Sequence, residues 1–291
     1  MYAIRKQRTL SAPVAIEGFG FWTGRDVRVE FRPAETGSGI VFVRRDLPRA
    51  PRIAALVANR IETPRRTTLE AAGGSVEMVE HIMAALAGLQ IDNCEVWVDE
   101  AEMPGCDGSS QPFVALLESA GIVEQDAARR VLVIRNTVRL GDDESWVEAR
   151  PSTTGGMSIK FRLDYGNGNA IGRQSLQLAI TPESFRRELA ASRTFMLEEE
   201  AQWLLAQGLG QRTTYQNLLI FDKNGPIQNQ LRFRDECVRH KALDLLGDLA
   251  LTGCDIVGHV IAHRSGHRLN AELVRALLSE EETSESLKRS A

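Results

Sequence analysis

A chain of 291 residues, 43% hydrophobic and 25% charged, has the make-up of an ordinary globular protein, and its length suits two moderate domains better than one. Its net charge of −4 argues against a nucleic-acid partner, which calls for a basic face that displaces phosphate counterions. No apolar run reaches the roughly 20 residues of a membrane-spanning helix and MYAIRKQRTL holds no secretory apolar region, so a cytoplasmic protein without a membrane span is expected.

The first 50 residues read as β structure. RDVRVEFRP (25–33) alternates apolar and polar side chains, and GSGIVFVRRDL (37–47) starts at a glycine turn. GFGFWTG (18–24) invites a phosphate-loop reading, but its glycines are spaced GxGxxxG and lead into strand, so a hairpin turn is expected. A helix is predicted over VEMVEHIMAALAGL (76–89), capped by Ser75, then a strand CEVWVDE (94–100) and a helix QPFVALLESAG (111–121). Residues 124–130 are polar and read as a linker.

The second half opens with strand VLVIRNTVRL (131–140). Strands SWVEARP and MSIKFRLDY follow, joined by a Thr-Thr-Gly-Gly turn. Thr181-Pro182-Glu183 has the cap, proline and acid of a helix start. Helix LEEEAQWLLAQG (197–208), strand NLLIFD, helix RDECVRHKALDLLGDL (234–249), strand CDIVGHVIAH (254–263) and helix AELVRALL complete the order. The tail from residue 279 is too polar to bury anything and is expected to be disordered. The cysteines at 94, 106, 237 and 254 form no CxxC pair and are expected to be free thiols.

One pattern occurs twice. Val79-Glu80-His81 has Gly88 seven residues after its histidine and CEVWV beyond; Val238-Arg239-His240 has Gly247 seven residues after and CDIVG beyond. The echo suggests a duplicated domain, each copy giving one histidine to a shared cleft.

The helix 234–249 poses a problem of its own. At about 100° per residue, Gly247, His240, Asp244, Cys237, Asp248 and Lys241 fall in a sector of roughly 120°, and apolar residues fill most of the rest. A solvated polar face is the ordinary meaning of such a line. Here, however, it holds His and two Asp in place of the better helix formers Glu and Lys. Residues four apart stand about 5–6 Å apart at Cβ, so His240 and Asp244 can reach one ion. A catalytic zinc typically takes three protein ligands and keeps a position open, so a third must come from elsewhere. HxxxHxxxH at His259, His263 and His267 is a tempting source. His259 and His263, however, lie among β-branched residues and read as strand. His81 is the better candidate, since Glu80 beside it could take a proton from a metal-activated water.

These residues carry a resemblance. VEHIMAALAGLQIDN (79–93), MPGCDGSSQPF (103–113), SRTF (192–195), LRFRDECVRHKALDLLGDL (231–249) and RSGHRLN (264–270) closely resemble the UDP-3-O-acyl-N-acetylglucosamine deacetylase family. These are zinc amidases that commit material to lipid A in Gram-negative bacteria. The likeness runs in order from KQRTL (6–10) to about residue 277. It implies an α+β fold of two similar domains, each a β-sheet layered on a pair of helices, with the active site at the domain interface. The first domain would cover residues 1–125 and the second 130–278, with an acyl-passage insert at about 194–225. Position by position, it implies His81, His240 and Asp244 as zinc ligands, with Fe2+ able to replace Zn2+. Glu80 would be the general base, His267 the general acid, and Asp248 the carboxylate that orients and charges it. Thr194 would act at the scissile carbonyl, while Lys241, Phe195 and Glu200 would meet the substrate. The implied partner is a UDP-acyl-aminosugar, and a monomer is expected.

The chain also departs from the pattern. Met196-Leu197 stand where Gly-Phe is usual, GLGQRTTYQN (208–217) where a glycine-rich stretch is usual, and Trp22 where a histidine is common. The acyl chain accepted therefore stays open, as do two other readings: a deacetylase of a different N-acyl sugar, and a silent homologue that binds sugar nucleotides. Retention of Glu80 and His267 speaks against the silent one.

Overall fold

The alternation of RDVRVEFRP is realised as strand Asp26–Pro33, with Val27, Val29 and Phe31 buried on one face. The computed structural model in which this is seen describes residues 4–153 and 155–289. Asp26–Pro33 pairs antiparallel with Val14–Phe19 across the GFGFWTG turn, where Gly20 donates to the Arg25 carbonyl and Gly24 adopts φ 68°. The hairpin expectation holds. On its other side lies Cys94–Val98, antiparallel; Ile40–Arg44 then adds parallel and Arg52–Ala54 antiparallel.

The second half repeats this plan strand for strand. Val138–Gly141, Trp146–Arg150, Asp255–His263, Met157–Asp164 and Arg173–Ala179 lie in that order, with the same succession of two antiparallel, one parallel and one antiparallel pairing. Val131–Val133 adds parallel to the start of Asp255–His263. In each sheet the central strand is the one that follows a histidine-bearing helix: α1 (Glu80–Gly88) precedes Cys94–Val98, and a later helix, Glu236–Leu249, precedes Asp255–His263.

The other helices are α2 (Gln111–Ser119), α3 (Pro182–Ser184), α4 (Glu198–Ala206), α5 (the Glu236–Leu249 helix) and α6 (His267–Arg289). Thr181 caps α3 through the Ser184 amide, and the helix widens into a π turn, Phe185–Leu189. α4 connects Phe195–Leu197 to Leu219–Phe221, which pair in parallel. No described helix is long and apolar enough to cross a membrane.

Helix α1 is apolar on nearly all sides and is sunk in the core against α5. The two echoed glycines are points of close approach. A Cβ on Gly247 would overlap the carbonyl oxygen of Glu80, and one on Gly88 would overlap the ring of Phe185. Gly247→Ala is therefore expected to push α5 off the start of α1. Overpacking of this kind costs about 1–3 kcal/mol. It should also lower activity, because a shift of about 1 Å at reacting groups costs on the order of a hundredfold. Melting curves and turnover on one preparation check this.

Four boundaries differ from the sequence expectation. Residues 74–77 are strand, not helix: Gly74–Glu77 pairs with Thr68–Ala71, which pairs with Arg60–Ile61. Ser75 therefore caps nothing, and α1 begins only after Met78 turns the chain at φ 56°. The supposed linker is part of strand Ile122–Ala128, antiparallel to Lys6–Leu10. Residues 131–140 form two strands. The polar tail from 279 continues α6 to Arg289; residues 290–291, like Thr154 of the Thr-Thr-Gly-Gly turn, lie outside the described residues.

Candidate active site

The start of α1 and the polar line of α5 meet. His81, His240 and Asp244 are all buried, and one ligand atom from each lies within 4.8 Å of the other two. Asp244 Oδ1 is 3.4 Å from His240 Nε2 and 3.6 Å from His81 Nε2, and the two imidazole rings stand at 79° with centroids 5.1 Å apart. Asp244 Oδ2 accepts from Lys241 Nζ at 2.7 Å, whereas the buried Oδ1 has no hydrogen-bond partner among the described residues. A carboxylate oxygen of that kind, facing two imidazole nitrogens, is an N, N, O donor set that fits a divalent ion.

The protonation states agree with this. Burial drives His240 down to about 3, so its imidazole is neutral, the form that ligates. Its Nδ1 donates to the Ser192 carbonyl at 3.2 Å, which leaves Nε2 bare and fixes the ring. Burial works to raise Asp244, but its cationic neighbours hold it well below the usual carboxylate range. With His240 neutral, Lys241 and the more distant imidazolium of His267 do so near neutral pH. Lys241 itself is raised: burial opposes its charge, and Asp244 prevails.

A second cluster adjoins the first. His267, the opening residue of α6, gives Nδ1 to Asp248 Oδ2 at 2.9 Å. Asn270 Nδ2 donates to the same oxygen at 2.8 Å, and Thr67 Oγ1 donates to Oδ1 at 2.6 Å. A helix N-terminus and a buried site both disfavour an imidazolium. Burial does pull His267 down, yet the charge and hydrogen bond of Asp248 outweigh it and raise the pKa to about 9. Glu80 is raised as well, but here burial is the cause, since it disfavours the ionised carboxyl. Its Oε2 accepts the Thr67 amide at 3.0 Å.

Glu80, His81, His240, Lys241, Asp244 and His267, the last with Asp248 behind it, border one cavity of about 1080 Å³. Its apolar walls include Phe21, Trp22, Leu204, Leu209, Leu218 and Ile220. Phe195 lines it with its ring 6.2 Å from that of His240, and Glu200 lines it while paired with Arg65 at 3.0 Å. Thr194 lies 3.4 Å from His81 Nε2, but its hydroxyl donates to the Gly108 carbonyl at 3.0 Å. All ten residues singled out in the sequence thus come together. His259 and His263 do not: they lie on strand Asp255–His263, one bonded to Ser158 Oγ at 2.7 Å, the other beside Trp146. The sequence reading missed Ser192, Thr67 and Asn270. Thr67 gave no signal, whereas Ser192 lay in SRTF and Asn270 in RSGHRLN, motifs already singled out for their neighbours. The four cysteines are free.

Comparison with known proteins adds the chemistry. A sequence profile described as UDP-3-O-acyl N-acetylglycosamine deacetylase matches residues 7–279. The chain is 37% identical over 277 residues to the UDP-3-O-acyl-N-acetylglucosamine deacetylase of Syntrophus aciditrophicus, covering 95% of this chain and 87% of that protein. It is 40% identical over 275 residues to the protein so named from Myxococcus xanthus, covering 94% and 87%. With the Brucella melitensis biotype 2 protein of that name it shares 38% over 277 residues, covering 94% and 96%.

Proposed function

The chain belongs to the UDP-3-O-acyl N-acetylglycosamine deacetylase family, and from that premise we propose that it hydrolyses the acetamide of UDP-3-O-acyl-N-acetylglucosamine, releasing acetate and the free amine in lipid A biosynthesis. One observation carries the reading. The ligand set of His81, His240 and Asp244 is flanked in a single cavity by a raised carboxyl, Glu80, and by His267, which Asp248 holds from behind.

We assign the metal as zinc, with ferrous iron as the alternative, because two imidazoles and a carboxylate suit either. When bound, the ion supplies Lewis-acid polarisation of the amide carbonyl and lowers the pKa of water towards about 7. Glu80 takes the proton of the attacking water, a task for which its burial-raised basicity suits it. Thr194 turns its hydroxyl from the Gly108 carbonyl to the developing oxyanion, beside Lys241. His267, charged by Asp248, then gives its proton to the departing amine. Phe195 and Glu200 meet the sugar. We read the repeated strand order as two duplicated domains, residues 1–125 and 130–278, with the site between them and residues 194–225 as the insert that takes the acyl chain. A monomer in the cytoplasm completes the proposal; free cysteines accord with a reducing compartment.

A sister specificity has one observation in its favour. Within the divergent stretch 208–217, Arg212 bonds the Gly24 carbonyl at 2.6 Å and Asp26 at 2.7 Å and lies over the Phe19 ring, so the insert is latched to the first hairpin. An acetate-release assay with substrates of varied acyl length, with and without chelator, separates the readings. We expect release from UDP-3-O-acyl-N-acetylglucosamine, loss with chelator, and recovery with zinc. Folded, metal-loaded protein that releases nothing from this substrate but acts on another N-acyl sugar would establish the sister reading.

A further inference from the structure

We propose that Thr67 is a positioning residue of the deacetylation, tying the carboxylate of Glu80 to the Asp248–His267 pair; the inference rests on the function proposed above. Thr67 immediately precedes strand Thr68–Ala71 and is buried at 1% exposure. Its backbone is fastened to the start of α1 at both ends. The Thr67 carbonyl accepts the Val79 amide at 3.4 Å, and its own amide donates to Glu80 Oε2 at 3.0 Å. Its side chain crosses to the other half of the molecule, where Oγ1 reaches Asp248 Oδ1 at 2.6 Å and His267 Nδ1 at 3.2 Å. Among the described residues, Thr67 alone hydrogen-bonds both Glu80 and Asp248.

The hydrogen count assigns each bond. A hydroxyl has one proton, and of its two partners, Asp248 Oδ1 and His267 Nδ1, Asp248 is the anion, so Thr67 donates there and its lone pairs face His267. The imidazole Nδ1–H then lies between two acceptors, Asp248 Oδ2 and Thr67 Oγ1. That fixes the tautomer and leaves Nε2 for the cavity. The two oxygens of Asp248 have separate partners: Oδ2 serves His267 and Asn270, and Oδ1 serves Thr67. Carboxylate rotation is a broad torsion, so losing the Oδ1 bond frees Asp248 to turn away from the imidazole. One residue thereby sets the geometry of the base and, through Asp248, that of the acid. A need for hairpin structure alone would be met by the backbone bond to Val79 and would not require the hydroxyl.

The test uses full-length, metal-loaded protein and measures kcat, KM, metal content and melting for Thr67→Val, Thr67→Ser, Asp248→Asn and the Thr67→Val/Asp248→Asn double variant. Thr67→Val should lower kcat about 10–100-fold, as loss of a residue supporting a site from behind typically does. KM should hold within about twofold, the sign of an interaction used in the transition state. Metal should stay at one ion per chain, and Thr67→Ser should restore most of kcat. If Thr67 acts through Asp248, the double variant is no slower than Asp248→Asn alone. Should the Val variant fail to fold, Thr67→Cys, whose thiol is a weak donor, gives the same ordering with a smaller loss. Wild-type kcat in Thr67→Val, or losses that multiply in the double variant, would overturn the inference alone. Wild-type protein that releases no acetate would overturn the functional reading and this inference with it.

Discussion

Asp244→Ala is expected to abolish stoichiometric metal binding and to lower acetate release by a factor of about a thousand or more, the scale of several kcal/mol of Lewis-acid stabilisation. Asp244 supplies the only anionic ligand of the set, and its Oδ1 lies within 3.6 Å of both imidazole Nε2 atoms. His240→Ala should act similarly, since burial holds its ring neutral and the bond to the Ser192 carbonyl aims it at that oxygen. The two variants differ in stability. Asp244→Ala also strands Lys241, whose Nζ sits 2.7 Å from Asp244 Oδ2, so it should melt lower than His240→Ala. Elemental analysis after dialysis, with melting curves, checks both points; tight metal in either variant would refute the ligand assignment.

Asp248→Asn is expected to lower turnover by roughly a hundredfold to ten-thousandfold, the usual span for a positioned proton donor, and to move the alkaline limb of the pH–rate profile to lower pH. In the wild-type chain, burial pulls His267 down and the Asp248 charge more than offsets it, bringing the imidazolium pKa to about 9. Asparagine removes the largest of the charges that oppose burial, so the pKa falls and less of His267 is charged when the proton is needed. A dication in the neighbouring ligand set repels the imidazolium in both proteins and lowers both limbs, so the difference between them keeps its sign. Stability follows the same linkage. The raised pKa stabilises the wild type fully below about 6.5, and that contribution is lost as pH rises through about 9; the Asn variant has less of it. An unchanged alkaline limb in the variant would show that His267 is not the acid.

The line of α5 was legible because helical spacing alone brings His240, Asp244 and Asp248 to one face, and because the other faces are apolar enough to bury the helix. The hairpins were legible for the same kind of reason, period-two alternation ending at glycine. The start of α1 was not. The chain turns there through a left-handed residue that is Met78 and not the glycine a reader looks for, and Val76 suits a strand as well as a helix. Strand Ile122–Ala128 escaped notice because it is polar on both faces and only half-buried; what fixes it is pairing with Lys6–Leu10, more than a hundred residues away, which no local pattern reports. Thr67 is the same case at the level of one side chain. Its partner Asp248 is 181 residues distant, and a lone threonine carries no spacing. The false lead HxxxHxxxH failed for the converse reason: the spacing was right for a helix, but β-branched neighbours place His259 and His263 in a strand.

The central claim is that His81 from one half of the chain and His240 and Asp244 from the other hold a single ion. Anomalous diffraction at the zinc edge from crystals of the zinc-loaded protein tests it most directly. The account predicts one strong peak per chain, about 2.0–2.2 Å from His81 Nε2, His240 Nε2 and Asp244 Oδ1. A peak elsewhere, or coordination that omits His81, would contradict it.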